Sequence, residues 1–118
     1  MSIRHVLAVV PVTDLDAATD WYSRLFDAAP TNVPMPGLLA EWRLTENGWV
    51  QLSTQAGPAG SGSLNLAVDD LDEHVQAARG RGFEIGASVG VNKGVRLAEL
   101  HDPDGTTVTF IGGFREHY

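Results

Sequence analysis

Two short stretches of this chain hold the side chains best able to do chemistry together. The first is W-R-L-T-E-N-G-W-V-Q-L-S, from Trp42 to Ser53. The second is R-L-A-E-L-H-D-P-D-G-T-T-V-T-F-I, from Arg96 to Ile111. Trp42, Glu46, Trp49 and Gln51 offer indole faces, a carboxylate and an amide. Leu97, Glu99, His101 and Thr109 offer an apolar wall, a carboxylate, an imidazole and a hydroxyl. Indole faces attract flat or cationic ligands, with roughly 0.5–2 kcal/mol per cation–π contact. A sheltered carboxylate adds selectivity for charge. Glu99 or His101 could also serve as a general base if burial tuned it toward neutrality. Each residue has a plainer reading beside this one. Trp42 and Trp49 could be core aromatics, Glu99 a solvated strand residue and His101 a turn residue. His5 could cap a cavity or lie at a strand edge, and His74 (mid-helix) and His117 (tail) read as bystanders.

Strands must present these residues. Asn47-Gly48 is a strong short hairpin signal, because both residues tolerate positive φ. A two-residue turn there joins a strand over Leu39 to Thr45 to one over Trp49 to Thr54. It pairs Glu46 with Trp49, Leu44 with Gln51 and Trp42 with Ser53, and those six side chains share one face. Val95 to His101 and Thr107 to Ile111 form a second hairpin, closed by Asp-Pro-Asp-Gly.

The rest of the chain shows an internal repeat. Leu7 to Phe26 (LAVVPVTDLDAATDWYSRLF) returns after 56 positions as Ser63 to Gly82 (SLNLAVDDLDEHVQAARGRG). In both copies an apolar strand leads into Asp-Leu-Asp and a helix. Asp14 and Asp70 are N-caps, whose carboxylates accept from free first-turn N–H groups. Glu73 completes a capping-box pattern. The first helix runs from Leu15 to about Phe26, with Ala18, Trp21, Leu25 and Tyr22 inward. The second ends at Arg79 to Gly82, where Gly82 supplies a left-handed cap. Pro30 to Gly37 reads as a loop, Gln55 to Gly62 as a flexible connector, and Phe83 to Val89 as a short strand broken at Gly86. Each copy is β-α-β-β, with room for a further strand near Thr31 or Phe83. The expectation is a single α+β domain over residues 1–118. Module one covers about 1–55, a linker 56–62 and module two about 63–112, with a frayed tail. Paired units of this kind usually build one shared cavity.

Composition narrows the function. Apolar content is 43% over 118 residues, enough for a genuine core. No cysteine is present, which excludes disulfides, thiolate metal sites and a thiol nucleophile. The net charge of −7 disfavours nucleic acid and anionic membrane surfaces as partners. No apolar run is long enough for a bilayer span and no export signal opens the chain, so the expected location is the cytoplasm. No nucleotide-binding glycine fingerprint, P-loop or Ser-His-Asp arrangement is present.

The stretch VPVTDLDAATDWYSRLF, with its aromatic pair, resembles the first module of the vicinal oxygen chelate superfamily. That group includes glyoxalase I, extradiol dioxygenases and bleomycin- and fosfomycin-resistance proteins. LAELHDPDGTTVTFIG resembles its closing hairpin. The resemblance covers nearly the whole chain. It implies two βαβββ modules, each a curved mixed sheet forming half of a cup. It also implies a homodimer, side by side or strand-exchanged, for which Pro11 resembles a hinge.

The family's enzymes hold a divalent metal on the first and last strands of each module, usually through His, Glu or Gln. The resemblance places those positions on Leu7, Gln51, Ser63 and Thr109. Only Gln51 is a plausible ligand there, so the expectation is no metal and no cofactor, although a two-residue slip would bring in His5. Metal-dependent family activities are then disfavoured. The family parity points Ala40, Trp42, Leu44, Glu46, Trp49, Gln51 and Ser53 into the cup from copy one. From copy two it points Leu97, Glu99, His101, Thr107 and Thr109. The reading that follows is a metal-independent small-molecule binding protein of the bleomycin-resistance type. Its ligand-binding residues are Trp42, Glu46, Trp49, Gln51, Leu97, Glu99, His101 and Thr109. It would sequester a cationic or aromatic antibiotic-like ligand rather than act as an enzyme. Two alternatives stand beside it. One is a metal-free lyase, isomerase or hydrolase using Glu99 or His101 as acid/base; the other is a noncatalytic dimerising regulatory domain.

Overall fold

A computed structural model describes residues 2–115, leaving Met1, Glu116, His117 and Tyr118 outside the described residues. Two capped helices organise the rest. Asp14 accepts from the Ala17 N–H at 3.2 Å and opens α1 (Leu15–Phe26). Asp70 accepts from the Glu73 N–H at 3.0 Å and opens α2 (Leu71–Gly80). Both helices close alike, through amides that reach back to a last-turn carbonyl: Ala28 to Ser23 and Phe83 to Ala78. Such a closure needs a left-handed residue beside it. Asp27 takes that role after α1 and Gly82 after α2.

Among the described residues, eight strands complete the α+β fold: β1 (Val6–Pro11), β2 (Asn32–Met35), β3 (Leu39–Arg43), β4 (Gly48–Ser53), β5 (Ser63–Ala67), β6 (Val89–Gly90), β7 (Arg96–His101) and β8 (Thr107–Gly112). They make two mixed four-stranded sheets, ordered β1-β4-β3-β2 and β5-β8-β7-β6. In each, the strand before the helix runs parallel to the last strand of the copy, and the remaining pairs are antiparallel. The repeat read from sequence is therefore a repeat of topology.

The chain divides into two compact units. One holds the residues up to Gly62 together with Asp102–Thr106; the other holds the rest from Ser63. In the first, Val10, Ala40, Trp42, Val50 and Leu52 bury one sheet face beneath α1, whose buried residues are Leu15, Ala18, Tyr22 and Leu25. Trp21 is half-buried on the flank, its ring 4.7 Å from that of Tyr22. In the second, Leu64, Ala98, Leu100, Val108 and Phe110 are buried under Leu71, Val75 and Ala78 of α2.

Several local expectations are corrected. The hairpin does not turn on Asn47-Gly48: Gly48 already opens β4 and its N–H donates to the Thr45 carbonyl at 3.4 Å. Leu44 and Thr45 both donate to the Gly48 carbonyl, and a Cβ on Gly48 would lie 2.5 Å from Thr45 Oγ1, so the tight approach sits between Thr45 and Gly48. The ladder pairs Arg43 with Trp49 and Trp42 with Val50. Trp49 thus meets a residue three places earlier than Glu46. An odd shift turns every β3 side chain to the other face. The proline-rich loop carries β2. No strand runs over Phe83 to Ser88; Phe83 and Ile85 are buried, and the Arg79 guanidinium binds the Ile85 and Gly86 carbonyls in place of a ladder. No described helix is long and apolar enough to cross a membrane.

Candidate functional site

Each sheet has one face under its helix and one face turned from it. On the second face of module one, the ladder aligns Leu39 with Ser53, Glu41 with Gln51 and Arg43 with Trp49. Leu7, Val9 and Pro11 of β1 continue it. The polar residues here form two connected groups. Glu41 accepts from Gln51 Nε2 at 2.8 Å and from Asn32 Nδ2 at 3.1 Å, one donor on each carboxylate oxygen. The Trp49 indole N–H donates to His5 Nδ1 at 3.1 Å, and the Arg43 guanidinium lies 5.8 Å from the Trp49 ring centroid. Arg43 is itself held by the Glu46 carbonyl, with its Nε at 2.8 Å.

Trp49, Gln51 and Ser53 lie on the expected face. Ala40 and Trp42 do not. Trp42 is 1% exposed, its indole N–H donates to the Ala28 carbonyl at 3.0 Å, and its ring packs against Phe26 at 5.5 Å. Burial of the largest β3 side chain beneath α1 fixes the parity of the strand. Leu44 and Glu46 lie in the turn after β3 rather than on it. The carboxylate of this face is Glu41, which sequence reasoning missed. Its signal was present in the alternation E-W-R: if Trp42 is core, Glu41 and Arg43 must face the other way.

In module two the expected parity holds. Leu97 pairs with Ile111, Glu99 with Thr109 and His101 with Thr107, while Ala98 and Leu100 are buried. Ser63 and Asn65 of β5 join the same face beside Thr107 and Thr109. Glu99 and His101 are exposed and Thr109 is buried. His101 Nδ1 lies 3.4 Å from Thr107 Oγ1. Glu99 therefore occupies in β7 the ladder place that Glu41 occupies in β3.

The places that the resemblance assigns to metal ligands, Leu7 and Gln51 in module one and Ser63 and Thr109 in module two, carry a poor donor set for a divalent ion. Leucine has no lone pair to give, and serine and threonine hydroxyls are weak neutral donors. Gln51 turns its amide N–H toward Glu41. His5 Nδ1 accepts the Trp49 indole N–H. Among the described residues, no three His, Asp or Glu side chains converge as a metal-binding group.

One further residue was not anticipated. Asp102, the first residue of the Asp-Pro-Asp-Gly turn, is buried. It accepts the Tyr22 hydroxyl at 2.8 Å and the Asp104 and Thr106 amides at 3.0 and 2.8 Å. Burial, with that carboxylate alongside, pushes the Tyr22 phenol well above its usual range. Gly60 lies against the Asp104 carbonyl, where a Cβ could not fit, so the connector is anchored there.

The profile of the Glyoxalase/Bleomycin resistance protein/Dioxygenase superfamily matches residues 2–110. Among solved structures, a glyoxalase/bleomycin resistance protein from Catenulispora acidiphila DSM 44928 is similar at 33% identity and a TM-score of 0.82, covering 92% of this chain and 96% of that one. The antibiotic-binding protein TnmS3 from Streptomyces sp. CB03234 is similar at 26% identity and a TM-score of 0.75, covering 95% and 98%. A lactoylglutathione lyase from Agrobacterium tumefaciens shares the fold at 19% identity and a TM-score of 0.78, covering 92% of each chain. No curated protein matches the chain.

Proposed function

Since this chain belongs to the glyoxalase/bleomycin resistance protein/dioxygenase superfamily, we propose that it binds a flat, antibiotic-like organic molecule without a metal and holds it rather than transforming it. The observation that carries the reading is the module-one face, where an indole and an amide-held carboxylate lie beside Leu7 and Gln51, the two places the family resemblance assigns to metal ligands. Such a face offers surfaces for stacking and hydrogen bonding, and Leu7 beside a single amide is a poor donor set for an ion that would polarise a substrate. The likeness to an antibiotic-binding protein at 26% identity supports the ligand class. Because Arg43 already lies over the Trp49 ring, the ligand's cationic part belongs nearer Glu41, and its flat part nearer Trp49. In module two, Leu97, Glu99, His101 and Thr109 remain the candidate contacts.

Quenching of tryptophan fluorescence by cationic aromatic drugs tests this. The expected result is saturation with recovery of unaltered drug, and loss of the signal in Trp49→Phe. No response to any such compound would count against the reading. Tight one-to-one binding of Zn²⁺, Ni²⁺ or Mn²⁺, abolished by Gln51→Ala, would overturn its metal-free part.

The same reading includes a homodimer. β1 is an edge strand whose Val6, Leu7 and Val9 are 71%, 46% and 48% exposed. Unpaired apolar edges invite another strand. Light scattering should return twice the chain mass, and a stable monomer at micromolar concentration would remove this part.

A further inference from the structure

The Glu41 carboxylate is set between two amides, and that setting carries a consequence for which ligands the face accepts. Asn32 reaches it from β2 and Gln51 from β4, each N–H on a different oxygen. The carboxylate cannot swing to solvent without losing both. Each oxygen still has a lone pair, because a carboxylate offers about four acceptor positions and the amides use two. Gln51 must present its N–H to a carboxylate, which fixes the amide's orientation and turns its carbonyl oxygen away from Glu41. The face therefore combines a negative charge with spare acceptor positions on Glu41, while the guanidinium of Arg43 on the same face is held by the Glu46 carbonyl and lies over Trp49. Trp49 is its diagonal neighbour across the ladder, at about 7 Å, within reach of one flat molecule.

Resting on the binding reading above, we infer that Glu41, positioned by Asn32 and Gln51, selects ligands whose flat ring system carries protonated or N–H-rich amino groups at its edge. An amino-substituted heteroaromatic cation is the matching class. Its rings lie along Trp49 and its edge N–H groups donate to Glu41 and to the Gln51 carbonyl. A ring-matched anion meets Glu41 as a like charge and is rejected. Module two has a different arrangement at the equivalent place: Glu99 is opposite Thr109, whose hydroxyl carries no amide fork to hold it.

Calorimetric titration of the full chain with proflavine, and with acridine-9-carboxylate as the ring-matched anion, tests this. The quantity read is the ratio of the two affinities, which a merely structural role would not move. Wild type should prefer proflavine by about tenfold or more, since charge-assisted hydrogen bonds exceed neutral ones. Glu41→Gln should erase most of that preference while leaving the unfolding midpoint near wild type. Asn32→Ala, which removes one amide and no charge, should reduce the preference by a smaller factor. Glu84→Gln, a charge control on module two, should leave it unchanged. If either acridine binds and Glu41→Gln leaves the ratio as it was, the Glu41 assignment is overturned and the binding reading stands. If neither acridine binds wild type, the binding reading itself is overturned and this assignment goes with it.

Discussion

Under its helix, module one packs rings. Tyr22, Phe26 and Trp42 lie within 5.5–6.4 Å of one another, centroid to centroid. Module two packs Val75, Ala78, Leu100 and Val108 in that layer, with His74 set edge-on against Phe110 at 4.4 Å. The matching ladder places are occupied by Trp42 and Leu100, each opposite a valine. On the other face, Glu41 and Glu99 match, but only the first is held by two amides. A shared backbone fixes which positions see which face. It leaves the chemistry of each position free, so two copies of one topology can diverge into a face whose glutamate is held by two amides and one whose glutamate is not.

The sharpest way to break this comparison is to empty the matched core places. Trp42→Ala should cost about 4 kcal/mol and Leu100→Ala about 3 kcal/mol, read from urea unfolding. The tryptophan loses ring contacts and also strands the Ala28 carbonyl. A Trp42→Ala cost no greater than that of Leu100→Ala would remove the claim that module one depends on its rings. Next in size is Asp102→Ala, at about 2–3 kcal/mol, because Tyr22 and two amides lose their acceptor. Tyr22→Phe should cost about 1 kcal/mol. Hydrogen exchange should show the loss in α1 before α2, and equal loosening of both would contradict the assignment of this turn to the first unit.

The two modules should also fail at opposite ends of the pH scale. His74 is half-buried, its Nε2 has no partner among the described residues, and burial with Arg81 nearby lowers its pKa. The unfolded chain then takes up the proton first. Stability is full above about pH 6.5 and falls as pH drops from there toward the lower folded value. Tyr22 behaves in the opposite sense, because its folded value is raised. Its contribution is full below about pH 10 and is lost as pH rises beyond that. Unfolding midpoints across pH should flatten on the acid side in His74→Gln and on the alkaline side in Tyr22→Phe. An unchanged acid limb in His74→Gln would sink the module-two half.

The smallest effect should come from Arg96→Ala. Arg96 meets Asp72 at 2.6 Å on the surface of module two, and also binds Ser88. The bridge lowers the Asp72 pKa, yet both side chains are solvated and salt screens them. The variant should unfold within error of wild type at physiological ionic strength.

Much of the fold is legible in local chemistry. Asp14 and Asp70 are helix caps by side-chain type alone, and Asp-Pro-Asp-Gly can only be a turn. In β7 and β8, alternation gives the right face because Ala98, Leu100, Val108 and Phe110 are apolar on one side and Glu99 and His101 polar on the other. β3 defeated the same reasoning. It has polar residues on one face and a tryptophan on the other, and a tryptophan can serve either as a binding surface or as core.

The chain's own residues determined the repeat, the two helix caps and the closing Asp-Pro-Asp-Gly hairpin, since these depend on residue type and spacing. Tertiary structure alone decided that Trp42 lies beneath α1, that Glu41 and not Glu46 faces outward, and that Asp102 receives a hydroxyl from a helix 80 positions earlier. The physical reason is the two-residue period of a strand. A turn longer than the signal suggests moves the register by an odd number and reverses both faces, and only the packing of the largest ring against its helix selects between them.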